Sequence, residues 1–103
     1  MIESVTIAKV LLLTRYFGGY IMSYEKVSQA KNLIIGTKQT AKALRTGNAK
    51  AVIIALDADS HVTSKIIDIA NEYSVPIDYV DSMRKLGKAC KIDVGAATVV
   101  IMK

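Results

Sequence analysis

The order of helix and strand signals from Ser23 onward predicts an α/β domain in which helices cover a β-sheet. Three observations carry this expectation. Helical and strand patterns alternate as α-β-α-β-α-β-α-β along the chain. The run Ala51-Val-Ile-Ile-Ala-Leu56 is apolar without a break, as in a strand covered on both faces. At 103 residues the chain has room for one domain with one core.

Taken in order, Ser23 can cap a first helix running through Lys31, with Lys26, Gln29 and Lys31 polar among Val27 and Ala30. Asn32-Leu-Ile-Ile35 is a brief apolar run ending at Gly36, which suits a short strand. Thr37 to Arg45 reads as a helix with Ala41 and Leu44 facing inward, stopped by Thr46-Gly47-Asn48. The apolar strand 51–56 comes next, and Asp57-Ala-Asp-Ser60 forms a turn and helix cap. Thr63 to Tyr73 carries Ile66, Ile67, Ile69 and Ala70 at helical spacing. Pro76 breaks the chain before the strand Ile77-Asp-Tyr-Val80. Asp81-Ser82 caps a helix over Met83 to Ala89, with Arg84, Lys85 and Lys88 on its polar side. Ala96 to Met102 is the closing strand.

The composition is that of a folded protein, 51% apolar and 22% charged. Lys plus Arg outnumber Asp plus Glu by 14 to 9, a net charge of +5 that favours a polyanionic partner through counterion release. The single cysteine, Cys90, excludes an intramolecular disulfide and suits a reducing, cytoplasmic setting.

Residues 1–21 stand apart. Ile2 to Ile21 is apolar but interrupted by Lys9 and Arg15, short of a membrane span. Its only early charge is Glu3, unlike the basic start of a signal peptide. Three readings are open: an extra helix or strand, a poorly ordered tail, or translated sequence ahead of a start at Met22. The third is preferred, because Met22-Ser-Tyr-Glu opens a self-consistent domain over residues 22–103.

Catalytic machinery is hard to assemble from these residues. Neither a Walker A loop nor GxGxxG is present, although Gly36 lies at a strand-to-helix junction that favours an anion. Asp57 and Asp59 could serve a hydrolase or a magnesium site, but helix capping before Val62 is the plainer reading. One histidine, His61, and one cysteine without an evident base support neither a triad nor a zinc site. A binding protein without cofactor or metal is expected.

The stretch Gly36-Thr-Lys-Gln-Thr-Ala-Lys42 resembles the signature of the L7Ae/L30e family of RNA-binding proteins, which open a helix with Gly-x-Asn-Glu-x-x-Lys. The match continues through Asp57-Ala-Asp59, Val75-Pro-Ile77, Leu86-Gly-Lys-Ala-Cys90 and Val94-Gly-Ala-Ala97, and leaves residues 1–21 unmatched. Within the family the chain looks most like the small bacterial L7Ae-like ribosomal proteins, which carry Gly-Thr-Lys-Gln in place of Gly-x-Asn-Glu.

The resemblance implies a three-layer α-β-α sandwich with a four-stranded mixed sheet, the L30e-like fold. It implies a monomer that recognises and stabilises kink-turn RNA, where tandem sheared G·A pairs flank a bulge, and that associates with the ribosome. It implies neither a DNA nor a membrane partner. Lys38 and Gln39 would stand where Asn and Glu read guanine edges, and Lys42 where a lysine contacts phosphate. Gly36 and Thr37 would let the backbone approach closely, and Asp59 would meet a flipped-out base. Ile92, Val94, Gly95 and Ala96 would belong to the apolar loop over the bulged nucleotides. Gln39 lacks the charge of Glu, which implies weaker or less selective binding. Lys91 stands where a glycine is common. The alternative is a protein–protein adaptor on the same fold, with only non-specific affinity for RNA.

Overall fold

The computed structural model describes residues 21–103, so the readings of residues 1–20 lie outside the described residues. The elements are α1 (Ile21–Gln29), β1 (Leu33–Ile35), α2 (Thr37–Arg45), β2 (Ala49–Ala55), α3 (Ser60–Glu72), β3 (Ile77–Val80), α4 (Met83–Ala89) and β4 (Thr98–Met102). They form the three-layer α/β sandwich around a four-stranded mixed sheet, ordered β1-β4-β2-β3.

β2 is one of the two inner strands, antiparallel to β4 and parallel to β3, which explains its unbroken apolar run. Val52 and Ile54 face one core layer with Leu44, Ile66 and Ala70 from α2 and α3. Ile53 and Ala55 face the other, with Val27 and Leu86 from α1 and α4. Alternate side chains of a strand point to opposite faces, so a strand between two helical layers has no polar side. Among the described residues β1 pairs only with β4, antiparallel. Hence β1, β2 and β3 point the same way, and their carboxyl ends share one edge of the sheet.

Several boundaries differ from the sequence expectation. Ser23 lies inside α1 rather than capping it, and the helix ends at Gln29. It ends before the bend at Lys31 and Asn32 that leads into β1, where the Asn32 carbonyl accepts from the Met102 N–H at 3.0 Å. α3 starts at Ser60, since Asp59 caps it by accepting from the His61 N–H at 2.8 Å. β4 starts only at Thr98. Ala96 is held outside it by its N–H, which donates to the Met83 carbonyl at 3.0 Å.

Lys91 closes α4 in a left-handed conformation, φ +63°. Its N–H donates to the Lys88 carbonyl at 2.9 Å, and the Ile92 N–H donates to the Gly87 carbonyl at 3.1 Å. This is the helix stop that glycine normally supplies. The loop shape is therefore kept despite the side chain, with strain left at Lys91. Lys91→Gly is expected to stabilise the fold by about 1 kcal/mol, the relieved strain exceeding the added unfolded-chain entropy. Urea unfolding checks this, and an unchanged or lower midpoint would contradict it.

The Tyr24 phenol joins α1 to α4 by donating to Asp81 and accepting from the Ser82 N–H at 3.2 Å. The phenol lowers the Asp81 carboxyl below its ordinary value of 3.8, with help from the Lys85 ammonium. Burial, then the bond to Asp81, pushes Tyr24 up to about 12. A lowered acid contributes stability above its unfolded value and loses it as pH falls through the folded one. A raised phenol contributes fully below its unfolded value and loses this as pH rises through the folded one. Tyr24→Phe should therefore destabilise at neutral pH, with the deficit shrinking as pH falls below 3.8. Denaturant midpoints of both proteins at neutral and acid pH test this. A deficit constant across that range would show that the carboxylate plays no part.

Candidate nucleic-acid interface

The carboxyl ends of parallel strands in an α/β sheet leave loops and helix starts at one edge, the usual place for a ligand. Here that edge carries the start of α2, the Asp57–Ser60 turn, the start of α4 and the loop 92–97. Backbone bonds close them into one surface. The Gly36 N–H donates to the Thr98 carbonyl at 3.4 Å, and the Ala55 N–H to the Ala97 carbonyl at 2.9 Å. The Met83 N–H donates to the Asp57 carboxylate at 2.9 Å, while the Met83 carbonyl holds Ala96.

Gly36 begins α2 at φ 105°, ψ 149°, a conformation that side chains rarely adopt. Among the described residues a methyl group there would meet nothing within 4 Å, so the position is open to them as well as left-handed. Thr37 is half-buried, while Lys38, Gln39 and Lys42 are exposed. The first turn of α2 contains no acid, so its amide ends and lysines present positive potential together. Gln39 and Lys42, with Ile34, Ala43, Thr46 and Met102, border an apolar hollow of about 400 Å³. A second hollow, about 460 Å³, lies at the opposite edge against Lys26, Lys50 and Asp78, remote from the start of α2.

Asp59 is exposed at the start of α3. Asp57 caps a different helix, through the Met83 N–H, rather than α3 as the sequence suggests. In the loop, Val94 is 70% exposed and Gly95 is exposed, whereas Ile92 is half-buried against the core. Ala96 is 4% exposed and belongs to that core. Its side chain therefore cannot shield a base; Ala96 anchors the loop that presents Val94. His61 is exposed. Burial pushes the Cys90 thiol up, away from the reactive thiolate.

Sequence reasoning missed two supports of this edge. Thr40 and Thr98, both fully buried, bond through their hydroxyls at 3.1 Å, fixing the first turns of α2 against β4. Their polar type hid them among apolar neighbours. Leu56, read as the end of a buried strand, is 56% exposed beside Asp57 and adds apolar surface to the edge. Among the described residues, ion pairs tie only Lys26 to Asp78 and Lys85 to Asp81. The cations of α2 have no such partner among the described residues.

Residues 22–103 match the ribosomal protein L7Ae/L30e/S12e/Gadd45 family. The chain belongs to that family. Among similar members, the RNA-binding protein of Geobacillus thermodenitrificans is 60% identical over 82 residues, 80% of this chain and 100% of that protein. RNA-binding protein YbxF of Geobacillus stearothermophilus is 58% identical over the same shares. These relatives are named for binding, not for catalysis, in keeping with the expected absence of enzymatic activity. Among solved structures, the Giardia lamblia 15.5kD RNA binding protein is similar with a TM-score of 0.68 and 29% identity, covering 78% of this chain and 67% of that one. No helix among the described residues is long and apolar enough to cross a membrane.

Proposed function

We propose that this L7Ae-family chain binds RNA, and that it recognises and stabilises the kink-turn. The observation that carries the reading is one surface. The open start of α2, with Gly36, Lys38, Gln39 and Lys42, is bonded through the start of β4 to a loop that exposes Val94. A-form RNA hides base edges in a deep, narrow groove, so proteins read it where the helix is opened or bent. A kink exposes edges of sheared G·A pairs, crowds phosphates and unstacks bases. The amide, carbonyl and ammonium groups of α2 suit the edges and phosphates. The exposed apolar side chain of Val94 suits unstacked bases. Asp59, exposed at the neighbouring helix start, can accept from a base turned out of the stack. The relatives named for RNA binding and the ribosomal description of the family support the same reading. We place the protein in the cytoplasm, as a monomer associated with the ribosome.

The test is a titration of the protein into a kink-turn RNA labelled on both arms, read by energy transfer at physiological salt. A matched RNA with Watson–Crick pairs in place of the G·A pairs runs beside it. Folding of the kink-turn alone is the expected result. Equal, salt-sensitive binding to both RNAs would overturn kink-turn recognition and favour the adaptor alternative.

A further inference from the structure

Two cationic stripes leave the same edge of the sheet on opposite faces. On α2, Lys38, Lys42 and Arg45 stand at i, i+4 and i+7, all exposed. On the other layer, Arg84, Lys88 and Lys91 repeat that spacing along α4 and just past its end, and all three are exposed. α4 follows β3 as α2 follows β1, so both helices begin at the interface edge and run away from it.

The second stripe borders the loop of the proposed interface. A methyl group on Gly87 would lie 2.0 Å from the Val94 carbonyl oxygen, so the loop passes over the Gly87 side of α4. Arg84, three residues earlier, shares that side, and Lys88 follows one turn beyond it. Lys91 opens the loop itself. Lys85 is engaged elsewhere, 3.2 Å from Asp81. Among the described residues no ion pair engages Arg84, Lys88 or Lys91. The acid in the loop is Asp93, which is exposed and forms no ion pair there. Three free cations against one acid, continuous with the loop, match a polyanion.

We propose that Arg84, Lys88 and Lys91 form a second RNA surface that holds the phosphate backbone of one helical arm of a bent RNA while α2 holds the other. This rests on the RNA-binding reading above. A duplex arm offers phosphates in a row, and two cations on α4 followed by a third at its left-handed end meet such a row without reading sequence. The protein then straddles its own sheet edge, and each arm adds affinity that depends on the bend.

The experiment compares the full chain with R84Q/K88Q/K91Q and with K31Q/K50Q/K103Q, which removes equal charge at the opposite edge. Dissociation constants are measured against potassium chloride for a kink-turn RNA with two long arms, for versions with either arm trimmed to the kink, and for the Watson–Crick control. The α4 variant is expected to bind the long-armed RNA roughly tenfold more weakly, with a salt slope reduced by about 2–3. It should keep its preference for G·A pairs, show no loss when the α4-side arm is trimmed, and melt as the parent does. The opposite-edge variant should leave the slope unchanged. Equal effects of both variants would reduce the stripe to net charge and overturn the proposal. So would unchanged binding by the α4 variant while the parent still folds the kink-turn, which would leave the stripe to an acidic protein. If the parent binds both RNA types alike yet the α4 variant alone lowers the slope, the second surface stands and the kink-turn reading falls.

Discussion

Gly87→Ala is expected to lower the melting temperature by about 10–20 °C and to weaken RNA binding with it. On helix propensity alone the change should help, because alanine is better than glycine in a helix interior by roughly 0.5–1 kcal/mol. The packing reverses the sign. The added carbon would stand 2.0 Å from the Val94 oxygen, 3.0 Å from the Val94 carbonyl carbon and 3.1 Å from the Gly95 Cα. All three are backbone atoms, so no rotamer change relieves the contact. The loop must lift from α4, straining the Ile92 bond to Gly87 and the Ala96 bond to Met83. Forcing a group into a filled space typically costs about 1–3 kcal/mol, and the upper part of that range applies to a backbone obstacle. In a domain of this size each kcal/mol moves the midpoint by about 4–8 °C. Thermal melting followed by circular dichroism reads the effect directly. A melting temperature equal to or above the parent's would show that the loop yields freely, and would remove Gly87 from the supports of the interface.

Gln39→Ala combined with Lys42→Ala should cut affinity for a kink-turn by more than tenfold while leaving the fold intact. Both side chains are exposed and neither is hydrogen-bonded to a described residue, so truncation empties no core and orphans no partner. Alanine also suits the helix interior. The whole effect should therefore appear in binding. A bond to a charged group is worth about 1.5–3 kcal/mol, and losing one phosphate contact together with one base-edge contact exceeds the 1.4 kcal/mol of a tenfold change. Titration of the labelled kink-turn with the double variant supplies the measurement, alongside a urea unfolding curve. Parental affinity in a folded double variant would remove α2 from the interface.

Most of the fold was legible in the sequence because its signals were local. The run at 51–56, the Pro76 break and the Ser82 cap each announce themselves within a few residues, and α2 and β3 fall where the pattern places them. What was not legible depended on partners far along the chain. Nothing near Thr40 in the chain marks it as buried; its partner Thr98 lies 58 residues away. Ala96 read as the start of the closing strand and, by resemblance, as part of the apolar loop, because nothing nearby shows that the Met83 carbonyl draws it inward. Asp57 read as a cap for the helix beside it, yet it caps the one that begins 26 residues later. The lysines and glutamine of α2 were visible as residue types in a spacing; their junction with the exposed tip at Val94 needed the strand order.

That order also governs how the surface can come apart. β4 is inserted between β1 and β2, and among the described residues β1 has no other neighbour in the sheet. Amides of β1 can therefore be no better protected from hydrogen exchange than the strand that covers them. The pairings of β4 span long stretches of chain, which makes this insertion a slow, late event in folding. Until it happens, Gly36 has no Thr98 to bind and the loop has no fixed base. The helix and the loop are thus assembled by a single closure, and a breach at β4 dismantles both together.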